Sequence, residues 1–283
     1  MPDLAWVNGE VSNLLETKVS FLDHGYFFGY GVYEAFKVYA GKPFAMEDHL
    51  DRLERSMKEI RITPDFTRDE LTKNIYDLVR RSELQDAMVY LQVTRGVGPR
   101  SHSPLKNPKP TLGMFVSYLP PIPEEIREKG IKAVILKDDR WAHPFIKTLN
   151  LLPNVLAKQI AEENGAYEAI LVRDNGSISE ASSSNVFAVF GDTIVTPPLD
   201  GKILSGITRL VVLRILEKSN LKFKEDYFTD EQLRNADEVF ITNTGAEVLA
   251  VTSLDGKPVG KGIPGPKTKQ LYQLFMQEVP SYL

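Results

Sequence analysis

His143-Pro144-Phe145-Ile146-Lys147-Thr148-Leu149-Asn150 carries a lysine at the end of a short apolar run, just ahead of a helix start. Asn150 reads as the N-cap, Pro153 falls in the first turn, and Gly165 follows the last one. Upstream, residues 131 to 136 read as a strand, so Lys147 stands near a strand-to-helix junction. An amine with apolar neighbours loses hydration, which favours its neutral form and makes it a nucleophile for an aldehyde. Farther along, Ser179-Glu180-Ala181-Ser182-Ser183-Ser184-Asn185 holds a carboxylate in a serine-rich turn between strands. That pairing of lysine and acid organises the reading of the rest of the chain.

Working outward, residues 5 to 11 and 17 to 22 read as short strands. Gly31-Val32-Tyr33-Glu34-Ala35-Phe36-Lys37-Val38-Tyr39 reads as a longer one that turns at Ala40-Gly41-Lys42. Leu50, Leu53 and Met57 recur at helical spacing between Met46 and Ile60, as do Leu71, Ile75 and Leu78 between Arg68 and Arg81. Two strands, 89 to 95 and 111 to 118, flank a polar loop from Gly96 to Pro110, a length at which loops often carry function. Leu119-Pro120-Pro121-Ile122-Pro123 stiffens the chain and lacks ladder donors, so it marks a domain division. The expected organisation is an α+β (mixed α/β) protein of two domains: 1–118 a small N-terminal domain, 119–123 a linker, and 124–283 a larger cofactor-binding domain. Strands at 168 to 173, 185 to 190, 193 to 196 and 238 to 242, with helices to Gly165 and from Gly206 to Lys218, fill the second.

Composition narrows the function. The 283 residues are 42% apolar and 10% aromatic, enough for a substantial core. A formal charge of −4 comes from 34 basic and 38 acidic residues mixed along the chain, without the basic block that a nucleic acid or anionic membrane would require. There is no cysteine, which excludes disulfides, thiolate chemistry and Cys-type zinc sites. Met1-Pro2-Asp3-Leu4 has neither the basic start nor the apolar core of a signal peptide, so a cytoplasmic setting is expected. His24, His49, His102 and His143 form no pair at metal-ligand spacing, and no metal is expected. No apolar stretch approaches the roughly 20 residues needed to span a bilayer.

An organic aldehyde cofactor such as pyridoxal phosphate needs an imine-forming lysine, an acid facing the pyridine nitrogen, and donors for its phosphate. Lys147 and Glu180 are candidates for the first two roles. Ile203-Leu204-Ser205-Gly206-Ile207-Thr208-Arg209 leads into a helix whose first N–H groups and positive dipole end suit a phosphate, with the Thr208 hydroxyl as a further donor. Thr242-Asn243-Thr244-Gly245, after a strand, could complete that cradle, and Arg52, about one turn from His49, could add a guanidinium clamp.

In this order and spacing the stretches become recognisable. Gly31-Val32-Tyr33-Glu34, Lys37-Val38-Tyr39, Asp48-His49-Leu50-Asp51-Arg52-Leu53, Gln92-Val93-Thr94-Arg95-Gly96, Lys147-Thr148-Leu149-Asn150-Leu151-Leu152, Glu180 to Phe187 and Gly206-Ile207-Thr208-Arg209 together resemble the fold-type IV pyridoxal phosphate enzymes, and within them the D-amino-acid aminotransferases. The resemblance covers nearly the whole chain. It implies that Lys147 is the Schiff-base lysine, that Glu180 partners the pyridine nitrogen, that Arg52, Ile207, Thr208 and Thr244 hold the phosphate, and that Arg140 lies near the phenolic oxygen. It further implies that Arg100 and His102, in Gly98-Pro99-Arg100-Ser101-His102, trap the substrate α-carboxylate together with Tyr33. That loop would come from the neighbouring subunit of a homodimer. The implied activity is ping-pong transfer of an amino group from a D-amino acid, such as D-alanine or D-glutamate, to 2-oxoglutarate or pyruvate. Branched-chain L-amino-acid aminotransferase, (R)-amine transaminase and aminodeoxychorismate lyase are the alternatives on the same scaffold. Thr244-Gly245-Ala246 resembles the branched-chain version of the phosphate turn, and Tyr30 stands where many relatives have an acid.

Overall fold

The computed structural model describes residues 3–283. Met1 and Pro2, part of the stretch weighed above against a signal peptide, lie outside the described residues. The described residues form two compact units: those up to Pro120 with Ile146–Asn150 and Tyr282–Leu283, and Pro121–Phe145 with Leu151–Ser281. The division at Pro120 falls inside the proline-rich segment. The short stretch carrying Lys147 belongs to the first unit, although the sequence places it in the second half of the chain.

In the first unit the order is β1 (Leu4–Val7), β2 (Glu10–Asn13), α1 (His24–Phe28), β3 (Gly31–Tyr39), β4 (Lys42–Pro43), α2 (Met46–Glu59), α3 (Arg68–Ser82), β5 (Ala87–Thr94) and β6 (Thr111–Tyr118). Among the described residues these strands make one antiparallel six-stranded sheet, β2-β1-β6-β5-β3-β4. Strand β3 alternates as expected: Glu34, Phe36 and Val38 are buried on one face, while Tyr33 and Ala35 are half-buried on the other. Helix α2 covers the buried face of β3 with Leu50, Leu53 and Met57, and α3 lies against β1 and β6. Phe36, Leu50, Leu53, Ile75 and Leu78 are fully buried, each stabilising the fold by roughly 1.5–3 kcal/mol of transfer free energy. Thr67 and Glu70 form a reciprocal cap that starts α3.

Residues 17 to 22, expected as a strand, are irregular instead. Their apolar side chains alternate, but Leu22 and Phe21 are exposed, and no neighbouring strand takes their backbone. The next turn, α1, is capped by the Asp23 carboxylate and closed by Gly29 in the left-handed region (φ +60).

The second unit contains α4 (Glu124–Lys129), β7 (Ile131–Lys137), α5 (Leu152–Glu163), β8 (Glu168–Val172), β9 (Ile178–Ala181), β10 (Asn185–Phe190), β11 (Thr193–Thr196), α6 (Ile207–Lys218), β12 (Lys222–Glu225), α7 (Asp230–Arg234), β13 (Glu238–Asn243), β14 (Glu247–Leu254), β15 (Lys257–Pro258) and α8 (Pro266–Glu278). Its mixed sheet runs β12-β11-β10-β13-β14-β7-β8-β9, with β15 on β14. The β14/β7, β7/β8 and β11/β12 pairs are parallel. Strands β10 and β13 are buried on both faces, with Phe187 stacked on Phe240 at 4.7 Å and 8°. Among the described residues no helix is long and apolar enough to cross a membrane.

Candidate active site

Lys147 is placed by strand pairing rather than by the helix that follows it. Strand β4 pairs only with the far end of β3, at Val38 and Tyr39, which leaves the near end at the sheet edge. Residues 147–149 fill that edge: Tyr33 N donates to Lys147 O at 3.0 Å and Leu149 N donates to Gly31 O at 3.0 Å, around a bridge between Val32 and Thr148. The half-buried Lys147 side chain reaches back so that Nζ lies 4.1 Å from the centroid of the Tyr33 ring. Asn150, expected as the N-cap of α5, instead donates through Nδ2 to Gly29 O at 3.2 Å, and Leu151 caps the helix. Beyond Tyr33 the same sheet face continues as an aromatic stack, Tyr33 on Tyr90 at 5.6 Å and Tyr90 on Phe115 at 5.2 Å. Burial, with the neighbouring Tyr33, pushes the Tyr90 phenol up to about 12, so its hydroxyl stays protonated and donates to Gln92 Oε1 at 3.0 Å.

On the opposite face of β3, Glu34 is wholly buried and gathers two residues of α2. Arg52 Nε and Nη2 fork onto its two oxygens at 2.8 and 2.7 Å, and His49 Nδ1 donates to Oε2 at 2.7 Å. Burial alone would raise the Glu34 pKa, but the charge and hydrogen bonds of Arg52, with the bond from His49, hold it down at about 2. Burial lowers the His49 pKa against the pull of Glu34, so the ring is neutral with its proton on Nδ1. The sequence pointed to Arg52 but gave no signal of Glu34 as its anchor, because β3 and α2 meet only in the fold.

Arg100 and His102 lie on the exposed part of the loop after β5. Both face Phe28: the Arg100 guanidinium carbon is 5.6 Å from its ring centroid, and the His102 ring is 5.6 Å away at 64°. Tyr30, the residue standing in place of an acid, donates its hydroxyl to Ile60 O at 3.0 Å and lies under the Arg95 guanidinium. It thus anchors the start of β3.

The second unit builds its own cluster around Glu180, at the end of β9. This buried carboxylate accepts from Arg140 Nη1, from Asn185 Nδ2 at 3.0 Å and from Leu204 N at 3.1 Å. Burial raises its pKa, and Arg140 offsets that only in part. Arg140 is itself gripped by Asp138, through Nε and Nη2 at 2.9 Å each, while Ser179 Oγ donates to Asp138 at 2.6 Å. Burial works against the guanidinium charge, but the bonds to Asp138 and the field of Glu180 outweigh it and raise the Arg140 pKa. The serine turn is fixed from below. Glu168, at the start of β8, accepts from the hydroxyls of Ser182, Ser183 (3.0 Å) and Ser184 (2.9 Å). This buried carboxylate, bonded by three hydroxyls and by Ala169 N at 2.9 Å, sets the spacing between Glu180 and Asn185.

Helix α6 begins beside Asn185. Its N-cap is Gly206, which has no side chain to cap it, so the first N–H groups, those of Ile207 and Thr208, remain for another acceptor. Gly206 is required on steric grounds: a Cβ there would collide with Asn185 Oδ1. The turn between β13 and β14 is tied to the same serines, with Asn243 Nδ2 donating to Ser184 Oγ at 2.8 Å and Asn243 Oδ1 accepting from Ala246 N at 2.6 Å. Thr244 sits half-buried within it. The structure therefore gathers Lys147, Tyr33, Arg52, Arg100 and His102 in the first unit, and Arg140, Glu180, Ile207, Thr208 and Thr244 in the second.

This arrangement has known counterparts. Residues 31–254 match the amino-transferase class IV family. D-alanine aminotransferase of Bacillus licheniformis is 42% identical over 276 residues, covering 97% of this chain and 96% of that one. The enzyme of the same name from Staphylococcus haemolyticus is 42% identical over 278 residues, with 98% of each chain covered. Among solved structures, Escherichia coli branched-chain amino acid aminotransferase superposes with a TM-score of 0.90 at 28% identity, covering 99% of this chain and 95% of that one. The PLP form of the Thermobaculum terrenum branched-chain enzyme gives 0.86 at 27%, covering 100% and 95%. The α+β architecture expected from the sequence is the one these aminotransferases share. A match over most of the chain and relatives of this identity along its length establish that the chain belongs to the class IV amino-transferases.

Proposed function

We propose that the protein is a pyridoxal phosphate-dependent transaminase that moves the amino group of a D-amino acid, such as D-alanine or D-glutamate, to 2-oxoglutarate or pyruvate. The single observation that carries the D-substrate reading is the pairing of Arg100 and His102 on Phe28, which presents a guanidinium and an imidazole on one exposed loop. The relatives named D-alanine aminotransferase support it.

The residues fit the cofactor. Lys147 offers a half-buried amine, Glu180 a buried carboxylate, and the uncapped start of α6 a phosphate-binding end. Thr208, Thr244 and Arg52 are the further phosphate donors in this proposal. When bound, pyridoxal 5'-phosphate supplies the electron sink and carries the amino group between two half-reactions. Lys147 would hold the cofactor through Nζ, and the same amine would remove the proton from the substrate Cα. It returns a proton to Cα of the new amino acid when the direction reverses. Glu180 would face the ring nitrogen and hold a proton there, with Arg140 offsetting part of the cost of its burial. Arg140 could approach the phenolic oxygen only through N–H groups outside its bonds to Asp138 and Glu180. Arg100, His102 and Tyr33 orient the α-carboxylate.

We further propose a homodimer in which the Arg100 and His102 loop serves the partner's site. Leu15, Val19, Phe21, Leu22, Tyr26 and Val97 leave apolar surface exposed in the first unit. In the second, Leu152, Val155, Leu156 and Ile160 leave an exposed stripe along α5 at helical spacing, which likewise suits a subunit contact. A cytoplasmic setting, expected from the cysteine-free composition, belongs to the same proposal.

Adding D-alanine, D-glutamate or L-leucine separately to the cofactor-loaded protein, with no 2-oxo acid, tests the reading. The visible band of the lysine-bound cofactor is expected to disappear with the D-amino acids and persist with L-leucine. Conversion by L-leucine alone would overturn the substrate assignment in favour of the branched-chain activity, the one the solved neighbours are named for. Glu180→Leu is expected to lower turnover by about 10²-fold or more with a smaller effect on cofactor affinity. If titration found affinity collapsed while the loaded fraction turned over normally, Glu180 would serve structure instead.

A further inference from the structure

We infer that helix α1 is the positioning element for the carboxylate-binding loop, with Phe28 as the platform that sets Arg100 and His102 and His24 as the tether that holds the loop onto it. The inference rests on the proposed role of Arg100 and His102.

The loop has little of its own to fix it. Residues 99 to 104 are exposed, and the intervening serines bond locally, as when Ser103 N donates to Ser101 Oγ at 3.1 Å. What holds it comes from the other side. His24, buried to 3% exposure, bonds through Nε2 to Pro99 O at 3.1 Å. A carbonyl can only accept, so Nε2 carries the proton and the imidazole donates, one residue before Arg100. Gly98 N donates to Leu22 O at 3.1 Å, and His24 N to Gly96 O at 3.0 Å, around an antiparallel bridge between Asp23 and Val97. Residues 96 to 99 at the loop base are thereby bound to Leu22, Asp23 and His24, which lead into α1.

One turn farther along, Phe28 presents its ring between the two trap residues. The His24 ring meets it edge-on at 5.2 Å and 82°, so the tether and the platform brace one another. An arginine over an aromatic face and a histidine at its edge are each held by weak, directional contacts that restrict rotamers without consuming the polar donors. That leaves the guanidinium and imidazole N–H groups for an anion. Long, exposed side chains would otherwise lose rotamer entropy on every binding event, so a platform that orders them beforehand strengthens carboxylate binding without touching the carboxylate.

The experiment uses the cofactor-loaded enzyme and reads KM and kcat for D-alanine and 2-oxoglutarate, with thermal melts as a folding control. Phe28→Leu is expected to raise KM for both substrates about fivefold with kcat nearly unchanged, and Phe28→Tyr, which keeps the ring, to restore KM. His24→Gln keeps a donor and is expected to stay near the parent, whereas His24→Leu raises KM as Phe28→Leu does. Arg100→Ala separates the two layers of the argument. If Arg100→Ala leaves KM unchanged, the carboxylate-trap reading itself fails. If Arg100→Ala raises KM but a folded Phe28→Leu variant does not, or lowers kcat alone, the trap stands and the positioning role of α1 is overturned.

Discussion

Lys147→Ala is expected to abolish turnover, by at least about 10⁴-fold, while leaving a folded protein. The two halves of that expectation come from different parts of the residue. Its backbone does the structural work, since Lys147 O accepts from Tyr33 N and Lys147 N donates to Ser56 Oγ at 3.3 Å. An alanine keeps both bonds. What is lost is the half-buried butylammonium chain and its contact with the Tyr33 ring, worth roughly 0.5–1 kcal/mol. On the proposed reading the chemical loss is complete, because the amine removed is the one that would bind the cofactor. Circular dichroism melts and single-turnover absorbance, run on the same preparation, check the two halves together. Full activity in a folded Lys147→Ala enzyme would sink the assignment.

Glu34→Ala is expected to have the largest effect on stability, destabilising the first unit by about 3–5 kcal/mol. The cost lies in what stays behind, since Arg52, only 4% exposed, would keep its charge with its fork removed. The pH dependence follows from the same carboxyl. Its folded pKa of about 2 lies below its ordinary value of 4.5, so the stability it contributes is present above pH 4.5 and is lost as the pH falls toward 2. That contribution is about 3 kcal/mol. Urea denaturation at pH 7 and pH 3 checks both statements, and the difference between parent and variant should shrink at the lower pH. A double variant, Glu34→Leu with Arg52→Met, is expected to recover part of the stability and none of the cofactor affinity. Equal affinity in parent and double variant would remove Arg52 from the phosphate site.

How much of this was legible beforehand depended on how far apart in sequence the partners lie. Strand β3 was readable to the residue, because its alternation is local and one face is buried. Lys147, Glu180 and the start of α6 stood out as motifs, since their residue types and order suit cofactor chemistry. The division of the chain at its proline-rich segment was also visible, but the return of residues 146–150 to the first unit was not, as a five-residue stretch carries no periodicity of its own. Asn150 had the composition of an N-cap and was diverted to Gly29 O by strand pairing. Glu34, Phe28, Tyr90 and Glu168 were missed as functional supports. Each acts through residues on other elements, and a buried glutamate bound to serines looks in sequence like any surface acid. Strands β9 and β14 and helix α8 were likewise unread, the first two because they are short or buried on both faces and lack alternation.

The alternation of β3 has a consequence for how such enzymes diverge. Tyr33 looks to one side of the sheet and Glu34 to the other, so a residue inserted or deleted just before Tyr33, with the rest of β3 slipping by one, would exchange their faces, stranding a carboxylate in the open and an aromatic ring beneath α2. No later substitution could repair both errors at once. The loop from Gly96 to Pro110 carries no such constraint beyond its tethered base, and it can lengthen, shorten or trade its charged residues while the strand stays in frame. On the proposed reading, changes in that loop can alter which substrates bind, whereas indels in β3 would disturb the neighbourhood of Lys147.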